Sequence, residues 1–447
     1  MNKFIIVGVI LVVLVALLAS NKKLVETLKN IYKIEELRKR ILFTLGLLLI
    51  YRLGSFVTLP GINHHILELQ TQAAGEQGGL MGLLNVFTGG AFSQASIFAL
   101  GVMPYITASI IIQLLGIMVP YFRKMQREGE SGRRKMNQWT RFLTIAVLLL
   151  QAPAYLKTQV PSIAIAHPEG FILTSTIILI AGTMFIMWLG EKITDKGIGN
   201  GISLIIMIGI VARLPHAFLG EVMLKLQGNA GSIIMLIVEL VFLAMVFMLA
   251  IAIVQAVRKI PVQYAKRIVG NKQYGGVRQY IPLKLNAANV MPIIFAQALM
   301  FIPGLIWGGQ WLMIQGFWYN FTLAVLVIAF TYFYTAIIVN PQMMADDMKR
   351  NGGFIPGVKP GKSTVTYIDN VMTRITLPGS IFLALITILP AIAMVIGINP
   401  SFAYFFGGTS LLIMVGVVLD TLKQIESYLL NRHYDGLMKT GRIQGRY

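Results

Sequence analysis

The chain has 447 residues, 56% hydrophobic and 13% charged, with no cysteine, a mean hydropathy of +0.72 and a formal net charge of +20. Soluble domains carry about a quarter of their residues as Asp, Glu, Lys or Arg, so too little polar material is present to cover a water-facing globule. The composition excludes a soluble enzyme, a disordered chain and a disulfide-stapled secreted domain, and leaves a polytopic membrane protein with a lopsided charge.

A bilayer core needs about 20 mostly apolar residues per helix. The first apolar run, Phe4 to Ala19, is short for a span and similar in length to a signal-peptide core. Ten longer runs follow, at 41–60, 97–118, 142–156, 171–190, 199–219, 232–256, 288–308, 320–340, 375–396 and 403–420, the third ending near Pro153. Strand-like alternation is missing, which argues against a transmembrane barrel.

The basic residues test this division. Alternate segments between the ten runs hold 33 of the 38 Lys and Arg, and the intervening segments are nearly bare. The positive-inside rule then predicts ten spans with both ends of the core in the cytoplasm. Ten divides into five plus five, and an odd number per half inverts one half relative to the other. No convincing internal repeat marks that symmetry. The expected division is 1–21 as a hydrophobic extension, 22–219 as a first half, 220–231 as a hinge, 232–425 as a second half and 426–447 as a cytoplasmic tail.

Ion-coupled transporters need ionisable groups at mid-membrane. Away from the span ends only Arg52 and Glu239 qualify. Arg52 is read as snorkelling outward and Glu239 as sitting in a helix–helix contact. His64, His65, His167, His216 and His433 fall in loops or at span edges, so no intramembrane catalytic or metal site is expected, and no cofactor. The run Gly357 to Ser363 has three residues between its glycines, where a phosphate loop has four. Gly197-Ile198-Gly199-Asn200-Gly201 reads as a tight lead-in to the fifth span rather than a dinucleotide site.

Asn85 to Gly101 is glycine-rich and too polar to face lipid. Irregular backbone at membrane depth must be buried in protein or line a cavity. With Pro104 positioned to restart a helix, a short re-entrant half-helix before the second span is expected; an ordinary external loop is the alternative. The loops 257–287 and 341–374 are basic, turn-rich and longer than a helix connection needs, which suggests docking surfaces.

EGESGRRK (128–135), GIGNGIS (197–203), PYITASIIIQLL (104–115), VQYAKR (262–267), NPQMMADDMKRNGGFIPGVKPG (340–361), YIDNVMTR (367–374) and FGGTSLL (406–412) closely resemble the SecY family, the channel subunits of the bacterial Sec protein translocon. The likeness runs in order from about Lys22 to the C-terminus. It implies an all-α protein whose two inverted five-helix halves enclose an hourglass pore, with an eleventh helix if the amino-terminal run spans. The implied function is a passive channel, not an enzyme, that passes unfolded secretory proteins across the cytoplasmic membrane and inserts membrane proteins into it.

By the same likeness, Val102, Ile106, Ile202, Ile206, Ile294 and Ile413 would form an apolar pore ring. A plug would span Asn85–Gly101 and include Asn85, Phe87, Gly89, Gly90, Ser93, Ser96 and Gly101. A lateral gate of spans 2–3 against spans 7–8 would be held shut by hydrogen bonds of Thr107, Gln151 and Asn286. Arg258, Lys259, Lys266, Arg267, Lys349, Arg350 and Lys359 would dock the SecA motor ATPase and ribosomes. Lys359 stands where the family commonly has Arg, so the charge is kept and the bidentate geometry is not. The other implied partners are SecE-like and SecG-like membrane subunits and substrates bearing signal peptides.

Overall fold

The computed structural model describes residues 34–63, 66–67, 80–161, 163, 165, 170–226, 233–264, 267–269, 272–274, 278–288, 290–300 and 316–440. The amino-terminal run, Lys266, His64, His65, His167 and the stretch 227–232 therefore lie outside the described residues.

The ten expected runs carry helices among the described residues, with 301–308 of the seventh run outside them. In chain order these are α1 (Glu35–Gly54), α2 (Leu80–Phe87), α3 (Met103–Met118), α4 (Pro120–Arg127), α5 (Glu130–Gln159), α6 (Phe171–Lys196), α7 (Gly201–Leu226) and α8 (Ile233–Gln255). There follow α9 (Met291–Leu299), α10 (Phe317–Ile338), α11 (Pro341–Arg350), α12 (Lys362–Val395), α13 (Pro400–Ala403) and α14 (Gly408–Thr440). Among the described residues, seven helices are long and apolar enough to cross a membrane, and α3 with α4, bent by 101°, makes an eighth. Large side chains on the outer faces, such as Leu45, Leu49 and Leu53 of α1 and Ile234, Val241 and Met248 of α8, are exposed. A bilayer gives that exposure a reason, since lipid solvates such surfaces.

Several helices run further than the apolar runs indicate. α5 continues through Pro153, because one missing hydrogen bond does not stop a helix held by neighbours on both sides. α7 continues to Leu226, so residues 220–226 of the expected hinge are helical and buried in part. The turn before α7 is a tight connection, as read from its glycines. Gly199 has φ +80°, and the N–H groups of Ile198, Gly199 and Gly201 donate to Thr44 of α1, Gln424 of α14 and Thr194 of α6.

Apolar packing fills each expected half and also crosses between them, since Val86 and Phe87 of α2 and Ile210 of α7 bury in the cluster of α8–α14. Tyr51, Val102, Ile186, Leu189, Leu204 and Ile205 share one buried cluster from α1, α3, α6 and α7. Another joins Val246, Leu323, Leu383, Phe402, Phe406 and Leu411 from α8, α10, α12, α13 and α14. The last turns of α7 join this second cluster through Ala217 and Phe218, so α7 passes from one half's core to the other's.

The two long basic loops fold together, which corrects a purely helical expectation. β1 (Val257–Tyr264) pairs antiparallel with β4 (Arg278–Lys284) and with β5 (Gly353–Phe354), and β2 (Arg267–Val269) pairs with β3 (Lys272–Tyr274). Ile260, Val262 and Leu283 of the sheet bury against Met348, Ile355, Ile368 and Met372. Loops that seem separate in sequence thus form one small body on top of α12.

Candidate functional site

Between the halves lies a cavity of about 380 Å³. Its upper wall carries Asn200, Ser203, Lys284, Asn286, Asp420, Thr421 and Lys423. Below them the lining turns aliphatic, with Ile106 of α3, Ile202 and Ile206 of α7, Ile294 of α9 and Ile413 of α14. Five of the six expected ring residues therefore meet, drawn from four helices of both halves. Val102, the sixth, is buried in the cluster against which Ile106, Ile202 and Ile206 pack, and lines a small void with Phe87, Thr88 and Ile206. Water held between side chains of this kind gains no hydrogen bonds, so a collar of them is dry when narrow.

Phe87 and Thr88 belong to the segment expected to be re-entrant. The half-helix exists, but it is α2, at Leu80–Phe87, and only its last turn falls within 85–101. From Thr88 to Val102 the chain is irregular, with Gly89 at φ +65°, Gly90 at φ +96°, Gly101 at φ +54° and Ala95, a rare non-glycine, at φ +46°. Nearly all of it is buried. Its polar residues are used internally: the Asn85 side chain accepts from the Ser93 N–H at 3.2 Å, Ser93 donates to the Gly90 carbonyl at 3.0 Å, and Ser96 accepts from the Phe98 N–H at 3.1 Å. Pro104 sits in the first turn of α3, where its missing N–H costs nothing.

Two side chains from outside hold this segment. The Tyr155 hydroxyl of α5 donates to the Phe92 carbonyl at 2.6 Å, with the two rings 4.8 Å apart. Arg52 of α1 donates through Nη1 to the Gly89 carbonyl at 2.9 Å and to Ser55 at 3.4 Å, and its guanidinium lies 4.6 Å from the Phe56 ring centre. Arg52 is thus turned into the protein, against the outward snorkelling read from its position. An arginine flanked by a glycine-rich buried segment has carbonyls to bond, and sequence places that segment 37 residues away.

The expected polar gate is not assembled. Thr107 donates to Met103 of its own helix at 3.1 Å, Gln151 is exposed on α5, and the side-chain oxygen of Asn286 is buried without a donor. A threonine in an apolar helix satisfies its hydroxyl on the carbonyl one turn back, which removes the need for a partner across the seam. The seam of α3 with α9 and α10 is instead apolar, made by Ile110, Ala288, Phe295 and Tyr334.

The second ionisable site is larger than Glu239 alone. Lys225 of α7 lies 3.4 Å from Glu221 and 2.9 Å from Glu239 of α8, all three buried, and Glu221 accepts from the Asn399 N–H at 2.9 Å. Glu239 does sit in a helix–helix contact, and it is an ionic one. The four-residue spacing of Glu221 and Lys225 was the available signal, hidden by placing both in a loop.

On the basic side, Arg258 and Lys259 stand exposed on β1, Lys349 and Arg350 at the end of α11, and Lys359 beyond β5. Arg267 begins β2. β1–β5 pairing brings the two groups onto one sheet body.

Isoleucines from both halves thus line one cavity, and the buried irregular segment packs beside them at Phe87, Thr88 and Val102. The family model described as SecY matches residues 96–422. The chain belongs to the SecY family. It is 41% identical to the protein translocase subunit SecY of Chlamydia trachomatis serovar D, over 94% of this chain and 99% of that one. It is 43% identical to the corresponding subunits of Streptomyces scabiei (91% and 98% covered) and Halalkalibacterium halodurans (92% and 99%). Among solved structures it resembles a protein-conducting channel at TM-score 0.60 and 20% identity, covering 92% of this chain and 95% of that one. A canine Sec61 channel in a ribosome complex matches at TM-score 0.56 and 19% identity, with the same coverage. These two likenesses carry the fold.

Proposed function

We propose that this chain is the pore-forming subunit of a bacterial protein translocase, through which unfolded secretory proteins cross the cytoplasmic membrane and from which apolar segments leave sideways into lipid. One observation carries the reading: isoleucines from both halves close the floor of a polar-walled cavity, and a buried segment backs them from below. The isoleucine ring with Val102 seals against ions without specific recognition, so it tolerates any sequence passing through it. The apolar seam between α3 and α9–α10 is the side exit. It opens without breaking hydrogen bonds, which suits a gate that yields to a sufficiently apolar segment.

Nothing in the pore supplies work, so the driving force comes from a partner, a motor ATPase such as SecA or a translating ribosome. Ribosome complexes are named for solved relatives of this fold. The sheet body with Arg258, Lys259, Lys349, Arg350 and Lys359 is the docking surface, and the positive-inside rule places it in the cytoplasm with the core termini. SecE-like and SecG-like subunits would cover exposed apolar helix faces.

Photo-crosslinkers placed at Ile106 and at Ile294 test the reading. A secretory chain stalled during translocation should crosslink to both. Crosslinks only to outer helix faces would turn the protein into an insertion scaffold without a pore, and solute uptake by reconstituted vesicles lacking any partner would turn it into a transporter.

A further inference from the structure

The three buried charges at the end of α7 do not cancel. Lys225 supplies one positive charge, and Glu221 at 3.4 Å and Glu239 at 2.9 Å close on its single nitrogen with two negative ones. All three side chains are buried. Glu221 has a second donor in the Asn399 N–H at 2.9 Å, whereas Oε2 of Glu239 is buried with no donor among the described residues. The ammonium already occupies the position between the carboxylates that a metal ion would need.

The elements packed around this end of α7 bring no further charge to it. Glu239 is the sole charged residue of 226–257, and 286–345 and 375–419 contain none, which covers α8, α9, α10, α13 and the outer parts of α12 and α14. α2 has none, and α6 has none before Glu191. On α7 itself, Arg213 and the exposed His216 lie about 12 Å and 8 Å back from Glu221 along the axis, at about 1.5 Å per residue. Arg52 of α1 is engaged still further back, at Gly89 beside Gly209. An uncompensated anion in such surroundings is costly, and two carboxylates sharing a site avoid that cost when one of them takes up a proton.

We propose that Glu221, Lys225 and Glu239 form a proton-binding site, which holds one exchangeable proton and makes the strength of the tie between α7 and the second half depend on pH at the face away from the basic loops. A proton from water adds to an oxygen of one carboxylate, and the carboxyl O–H so formed donates to the other carboxylate. The site is then neutral and suited to its surroundings. Without the proton it carries one buried negative charge, and the tie weakens. In the unfolded chain both glutamates are solvated and lack the proton above about pH 6. The folded chain therefore binds one proton more, and its stability falls as pH rises.

Thermal unfolding of the full chain, purified from membranes, over roughly pH 6 to pH 9 tests the site, with wild type, Glu239→Gln and Glu221→Gln compared. Either variant leaves one carboxylate against Lys225, so neither needs the proton. The wild-type folding equilibrium should weaken with rising pH, by up to about tenfold per pH unit where the proton is lost, and both variants should lack that slope. His216 and the other histidines titrate in every form, so the difference between forms isolates the cluster. Infrared spectra should show a protonated carboxyl band in wild type that fades as pH rises and is missing from both variants. A variant slope equal to that of wild type, or a wild-type chain without the band, overturns the proposal. Equal destabilisation of a variant at every pH also overturns it, because that marks a fixed ionic brace holding no proton. If one variant does not insert, the other decides by the same two readings.

Discussion

Arg52, half-buried, and Lys225, fully buried, are cations at the ends of their helices away from the basic loops, and they are held in opposite ways. Lys225 is bracketed by two carboxylates on rigid helices, with Glu221 also capping the turn at Asn399. Arg52 bonds a backbone carbonyl on an irregular glycine corner. Freeing Lys225 would strand two buried anions, and freeing Arg52 would strand none. One contact is therefore a permanent weld where α7 enters the second half. The other is a single charge-assisted bond to the backbone of the buried segment.

The largest effect should come from breaking the weld. Lys225→Met leaves two carboxylates without a counter-charge and should cost about 3–5 kcal/mol of stability, read as a lowered melting temperature of the purified chain. Replacing all three, with Glu221→Gln and Glu239→Gln added, should recover most of that loss. A single Lys225→Met as stable as wild type would erase the distinction between the two cations.

Next in size is the ring. Ile206→Gly or Ile413→Gly should raise ion leak several-fold, because each opens the collar. Tyr155→Phe should lose about 0.5–1.5 kcal/mol, since its hydroxyl donates to the buried Phe92 carbonyl. Thr107→Val should be nearly silent, within about 0.5 kcal/mol and with wild-type translocation, because its hydroxyl bonds its own helix. A marked change in translocation would restore a polar gate.

The spans were legible because two independent signals, apolar runs and alternating basic segments, agree on them. That Ile106, Ile202, Ile206, Ile294 and Ile413 line one cavity was legible only through the motifs, as each isoleucine alone reads as helix packing. Other features escaped for physical reasons. β1–β5 pairing joins Tyr264 to Gly353, and a two-residue strand has no pattern of its own. Glu221 and Lys225 looked like loop charges because a buried ion pair lets a helix continue where hydropathy falls. Arg52 looked like a snorkelling side chain because its partner is a backbone group, which sequence does not advertise.

The central claim is that the isoleucine ring separates the cavity on the basic side from the buried segment on the other. The chain has no cysteine, so Ile206→Cys gives a single labelling site. In sealed vesicles, a small membrane-impermeant thiol reagent should modify it from the side of the basic loops and not from the opposite side, and a stalled substrate chain should protect it. Modification from both sides at rest, or full labelling with a chain stalled in place, would contradict the account.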